Sequence, residues 1–166
     1  MRIPYWRLSS FYFFYFATVG SFIPYWGLYL KHIGFNADAI GELSALLIST
    51  KMISPVLWGW IADRSGKSLR IIRLASFFAG LLFAGFLFFH GYVWFAWITL
   101  SFSFFWNAAL PQFEAVTLRY VKTEPHRYSR IRLWGSVGFI AAVLGVGRLL
   151  DDLGIQILPM LVLGQD

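Results

Sequence analysis

Three ionisable side chains stand where the sequence otherwise carries no charge: Lys51, Glu114 and Arg132. Lys51 is the single charge between Leu43 and Ala62, Glu114 closes the uncharged run from Leu74 to Phe113, and Arg132 opens the next apolar run. A charge placed in hydrocarbon costs about 2.5 to 3.5 kcal/mol on insertion scales, so each needs a partner or a wet cavity. Arg132 is suited to gripping a carboxylate or two hydroxyls, because its planar fork donates in bidentate fashion, and Glu114 can serve as its counter-ion when no ligand is present. Lys51, alone or with Arg132, can attract the carboxylate of an anionic ligand. The bland readings stand beside these: Glu114 and Arg132 snorkel to an interface, and Lys51 is half of a structural ion pair. Other chemistries lack their residues. With no cysteine there is no thiolate or Cys-ligated metal; His32, His90 and His126 lie far apart with no ligand spacing; and no phosphate-cradling glycine loop occurs. No enzyme, metal or cofactor is indicated.

The elements that hold these residues are set by composition. Of 166 residues 58% are hydrophobic, 20% aromatic and only 13% charged, too few charges to clothe a water-exposed surface. A bilayer core about 30 Å thick takes about 20 apolar residues as helix. Five stretches of that kind are expected at about 8–30, 43–62, 71–89, 92–113 and 131–150, the third and fourth divided at His90 and Gly91, with a partial sixth over 154–164. The net charge of +6 is sorted by loop. Arg2, Arg7, Arg64, Lys67, Arg70, Arg73, Arg119, Lys122, Arg127 and Arg130 all fall on one side of the spans, which the positive-inside rule makes cytoplasmic, the N-terminus included. The same sorting excludes a nucleic-acid partner, which would need one basic face. Tyr5, Trp6 and Trp94 read as interfacial anchors, whereas Tyr15, Phe22, Tyr25, Trp26, Trp106 and Phe139 are placed to line a cavity and stack on a ring. Asn107, Gln112 and Ser136 are read first as cross-helix hydrogen-bonding groups.

Between the second and third stretches, Gly59, Asp63, Arg64, Gly66, Lys67 and Arg70 follow the spacing G-x-x-x-D-R-x-G-[RK]-x-x-[RK]. Gly59 would admit a closely approaching helix, Asp63 would face a helix N-terminus or a loop arginine, and Gly66 would permit a tight reversal. This pattern resembles the cytoplasmic-loop signature of the major facilitator superfamily. The first span, with Phe11, Tyr15, Gly20 and Pro24, resembles the first helix of lactose permease and its relatives. Arg130, Arg132, Gly135, Gly138 and Phe139 resemble the fifth-helix segment of that group, and the form of the segment through Trp134 and Ser136 is closer to its phenylpropionate permease branch.

The resemblance implies an all-α integral membrane fold: the N-terminal six-helix half of a major facilitator transporter, with about five complete spans and a truncated sixth within 1–166. It implies secondary transport of a small organic solute in a bacterial inner membrane, with protons as the coupling partner, lipid around it and a C-terminal half as its missing complement. Glu114 and Arg132 match the sugar-binding pair of lactose permease in separation and helix. Substrate contacts are expected at Lys51, Glu114, Arg132, Tyr25, Trp26, Trp106 and Phe139, and the loop cluster from Gly59 to Arg70 is expected to latch the access cycle. An aromatic carboxylate such as phenylpropionate is favoured as substrate, then a sugar or nucleoside; a drug exporter and a non-transporting scaffold are the alternatives. The fragment alone is expected to be inactive. In sealed spheroplasts, protease added outside should spare the bend after Asp63, while inside-out vesicles should be cut there; cleavage from outside would reverse the topology.

Overall fold

The computed structural model describes residues 4–121 and 125–164, and these are helical with no strand among them. The helices are α1 (Tyr5–His32), α2 (Ala37–Ser65), α3 (Ser68–Phe83), the single turn α4 (Gly85–Phe88), α5 (Tyr92–Tyr120), α6 (Pro125–Leu153) and α7 (Leu158–Leu163), with a 3-10 turn at Ile155–Ile157 before the last. Arg2 and Lys122 lie outside the described residues.

Local chemistry sets the helix ends. Asn36 caps α2 by accepting from the Ala39 amide at 2.9 Å, and Asp38 in that first turn complements the positive end of the helix dipole. Gly66 ends α2 in the left-handed region at φ 65°, its amide bonded to Ala62 O at 2.8 Å, a conformation that glycine adopts without a Cβ penalty. Gly91 at φ 96° makes the reversal before α5 where the sequence places it. Pro24, Pro55 and Pro111 each lie inside a continuous helix.

Four helical stretches, Ala37–Ser65, Ser68–Phe88, Tyr92–Tyr120 and His126–Leu153, are long and apolar enough to cross a membrane. α1 has the length, 28 residues, but the polar tips of Tyr5, Trp6, Tyr12, Tyr15, Tyr25, Trp26 and Tyr29 dilute its mean hydropathy, and it is not among the four. Large apolar side chains nonetheless stand outward along the helices, Met52 at 78% exposure and Val56 at 70% among them, as a bilayer-facing surface requires.

The chain forms two compact units, Met1–Ile33 with Thr117–Asp166, and Gly34–Val116. In the first, α1 and α6 lie side by side and parallel: Tyr5 meets Trp134, Phe13 meets Gly138, and Tyr25 meets Val143 and Gly147 in rising order. The approach is set by glycine. A Cβ added at Gly20 would lie 2.6 Å from the Phe139 carbonyl oxygen, and one at Gly138 would fall closer still to that of Phe13, so each helix offers a glycine to the other's backbone. The 3-10 turn and α7 pack on α1 and bury Leu158, Pro159 and Val162.

In the second unit α2 and α5 are likewise parallel, from Glu42 and Tyr92 at one end to Gly59 and Gln112 at the other. Thr50, Ser54 and Trp58 recur at i, i+4, i+8 on α2 and meet Ser103, Phe104 and Asn107 of α5. An aromatic cluster fills the space beside them: Phe86 lies 4.9 Å from Phe95, and Phe83 lies 5.2 Å from Phe102.

A valine at Gly138 should force the two backbones apart and destabilise the protein by about 1 to 3 kcal/mol, the range for overpacking. Gly145 on the same helix has nothing within 4 Å of an added Cβ, so Gly145→Ala should be neutral or slightly stabilising. Thermal unfolding in detergent compares the two; equal behaviour would contradict the close approach.

Candidate functional site

Arg132 is on α6 about two turns from its start, half-buried. Its guanidinium carbon lies over the Phe16 ring, 4.3 Å from the centre, and 5.4 Å from the centre of the Tyr12 ring. Both rings belong to α1, where Tyr12, Phe16 and Gly20 repeat at i, i+4, i+8 and so share one face. Tyr12 is fully buried and its hydroxyl donates to Thr117 Oγ1 at 3.3 Å. Gly135 makes room for the assembly, since a Cβ there would fall 2.7 Å from Phe16 Cδ2 and 3.2 Å from Arg132 Nη1. A cation over an aromatic face gains about 0.5 to 2 kcal/mol depending on solvent exclusion. Phe139, half-buried, presents its carbonyl and ring edge to Gly20.

Two other aromatic candidates of this unit have structural employment. The Tyr25 hydroxyl donates to Val143 O at 2.7 Å, tying α1 to α6. Trp26 is 5% exposed and packed between Phe22, at 4.9 Å, and Tyr29, at 6.2 Å, so it belongs to the core.

The second unit carries Lys51, Glu114 and Trp106. Lys51 follows Thr50 on α2, is exposed, and makes no ion pair with any described residue. Its neighbours Thr50 and Ser54 turn inward, at 4% and 0% exposure, which puts Lys51 on the flank of the polar seam and not within it. Glu114 is half-buried on α5, one turn beyond Pro111. Trp106 is half-buried, 6.0 Å from Phe102 at the end of the aromatic cluster.

Asn107 takes the cross-helix role. Its Nδ2 donates to Thr50 Oγ1 at 2.9 Å, the Thr50 hydroxyl donates to Ser103 Oγ at 3.0 Å, and Ser103 donates to Thr99 O at 2.5 Å. This is a directed chain from the Asn107 amide to the Thr99 carbonyl, which satisfies polar groups where no water is present, while the hydroxyl of Thr99 itself is buried with no hydrogen-bond partner among the described residues. Ser54 and Trp58 both donate to Phe104 O, at 2.5 and 3.3 Å. Gln112 is buried, and Ser136 is exposed.

In the loop cluster, Asp63, Arg64, Lys67 and Arg70 are exposed, and Asp63 pairs with no described residue. Arg64 lies 5.6 Å from the Trp60 ring centre, one helical turn back. Gly66 forms the reversal expected of it. Gly59 faces α5. A Cβ there would meet Gln112 Nε2 at 3.8 Å, an ordinary contact, and among the described residues the closest approaches to another helix's backbone are at Gly20 and Gly138.

Sequence reasoning passed over Tyr12, Phe16, Thr50 and Ser103. The signal available was spacing: an aromatic, aromatic, glycine stripe at 12, 16 and 20, and a Thr, Ser, Asn stripe at 99, 103 and 107. A double-mutant cycle on Thr50→Ala and Asn107→Ala should return a coupling of about 0.6 kcal/mol, with about 1.7 as the ceiling for such pairs in membranes. Strict additivity in thermal unfolding would mean that the hydrogen bond carries nothing.

Comparison with known proteins adds the family. The model of the MFS_1 like family matches residues 5–164. The chain is 32% identical over 149 residues to the maltose permease of Geobacillus stearothermophilus, covering 89% of this chain and 38% of that protein. It is 31% identical over 158 residues to the "Probable 3-phenylpropionic acid transporter" of Escherichia coli (strain K12), covering 92% of this chain and 41% of the relative. The chain thus spans about two fifths of the length of these curated relatives. With the family model matching nearly its whole length and membrane-length helices packed in parallel pairs, this chain belongs to the major facilitator superfamily of transporters.

Proposed function

We propose that the chain is the N-terminal half of a secondary active transporter in a bacterial inner membrane, with its N-terminus in the cytoplasm, that moves an aromatic carboxylate such as phenylpropionate by alternating access with proton symport. The observation that carries this reading is Arg132: a permanently charged side chain, half-buried in a helix apolar enough to span a membrane, resting on two aromatic rings. Such a residue is a functional site by default. Similarity to a relative named for 3-phenylpropionic acid supports the substrate class. Supporting the topology, α1 runs parallel to α6 and α2 to α5, as when every intervening stretch crosses the bilayer.

In this reading Arg132 grips the carboxylate through two in-plane N–H donors, and Lys51 adds attraction for the anion. Glu114 is a further charged contact for the solute, a reading that its sequence separation from Arg132 supports. Trp106 and Phe139 offer ring faces to an aromatic solute, and Tyr25 and Trp26 brace α1. The loop from Gly59 through Asp63, Arg64, Gly66, Lys67 and Arg70 latches one state of the cycle. Alternating access needs a second half closing on the same site, so the chain by itself does not transport. A second reading, a sugar as solute, is favoured by the similarity to a maltose permease and by the Glu114 and Arg132 spacing, since that pair can hold hydroxyls.

Uptake of labelled phenylpropionate and maltose into proteoliposomes separates these readings: the complete transporter should accumulate the carboxylate, lose accumulation when a protonophore is added, and leave maltose outside. Lys51→Met should reduce phenylpropionate uptake more than about tenfold, as losing a charge attraction of roughly 2 kcal/mol implies, with membrane insertion unchanged. Undiminished uptake by that variant would remove Lys51 from the site.

A further inference from the structure

We propose that Phe16, with Tyr12 beside it, is a positioning surface that presents the Arg132 fork edge-on to its ligand and so makes the site select a planar carboxylate over a hydroxyl or neutral amide. The inference rests on the reading of Arg132 as a ligand-binding residue and assigns the residue that makes it selective. All five guanidinium N–H donors lie in the plane of the group. The guanidinium carbon stands over the Phe16 ring, 4.3 Å from its centre, and a ring face attracts a cation through its quadrupole without accepting a conventional hydrogen bond.

The two rings are packed beside α6. Phe16 lies on the α1 face that α6 approaches to backbone contact at Gly20 and Gly138. Tyr12 is 0% exposed and anchored at its hydroxyl by Thr117. Gly135 is the opening through which ring and guanidinium meet, since any larger residue would overlap Phe16 Cδ2. A long side chain normally loses rotamer freedom when it binds; here the aromatic contact removes that freedom beforehand, which is preorganisation. A carboxylate presents two coplanar oxygens at the fork spacing and gains both bonds, whereas a hydroxyl offers one acceptor atom and an amide one carbonyl oxygen. Lysine would lack the planar group that a ring can align.

The test is equilibrium binding of 3-phenylpropionate and of neutral 3-phenylpropanamide to the purified complete transporter, in wild type, Phe16→Leu, Phe16→Met, Phe16→Trp and Arg132→Gln. Phe16→Leu should weaken phenylpropionate binding about tenfold and leave the amide within about twofold. Phe16→Trp should restore the carboxylate affinity, because it supplies a ring face. Phe16→Met fills similar apolar volume without a ring and should match leucine, which carries the test if the leucine variant fails to accumulate. If the leucine and methionine variants bind like wild type while Arg132→Gln loses binding, Phe16 does not position Arg132 and the site reading survives. If tryptophan is as weak as leucine, or if both ligands weaken equally, the role is packing and the proposal is overturned. Wild-type affinity in Arg132→Gln, or no binding of either ligand by wild type, overturns the site reading and this inference with it.

Discussion

The contact on which the first unit depends is backbone against backbone. Gly20 of α1 meets the Phe139 carbonyl and Gly138 of α6 meets that of Phe13, a distance that no residue with a Cβ allows. In a bilayer there is little hydrophobic force between helices, because lipid tails are as apolar as leucine, so association falls to dispersion and polar contacts, both of which reward proximity. Once the two backbones touch, the side chains that flank the crossing are fixed in register: Trp134 on Tyr5, Phe16 against Gly135, and the Tyr25 hydroxyl on Val143 O. Arg132 inherits its place from that crossing.

The second unit solves the same problem with hydroxyls. α2 and α5 are joined by the Asn107, Thr50, Ser103 and Thr99 chain and by the shared acceptor Phe104 O, and rings fill the remaining space. Each bond is worth little by itself in a membrane. Their common direction matters more, since a run of satisfied donors permits only one register of α2 on α5, and a slipped register would strand buried polar groups without water to solvate them.

These two ways of joining helices leave different freedoms to the charged residues. Arg132 lies against the rings of α1, while Lys51 stands exposed on the flank of a polar seam. A permanently charged, preoriented fork suits specific recognition, and a flexible ammonium suits attraction at longer range. The loop cluster is different again: Asp63, Arg64, Lys67 and Arg70 are exposed, and only Gly66 has a role fixed by local geometry, as the left-handed cap of α2.

Much of this was legible in residue order. Uncharged length marked the helices, the loop spacing pointed to the family, and Gly66 and Gly91 fell at reversals because only glycine tolerates positive φ at no cost. Those signals are local or compositional, so one dimension contains them. Mean hydropathy alone undercounts α1, whose aromatic residues with polar tips count as less apolar than their packing makes them. Which glycine is a close approach, which tyrosine is a strut and which ring lies under Arg132 were decided by tertiary structure. Gly59 and Gly138 look alike along the chain, and so do Tyr12 and Tyr15. They differ because a helix presents each residue in one direction, and what lies there depends on the partner helix, its distance and its register.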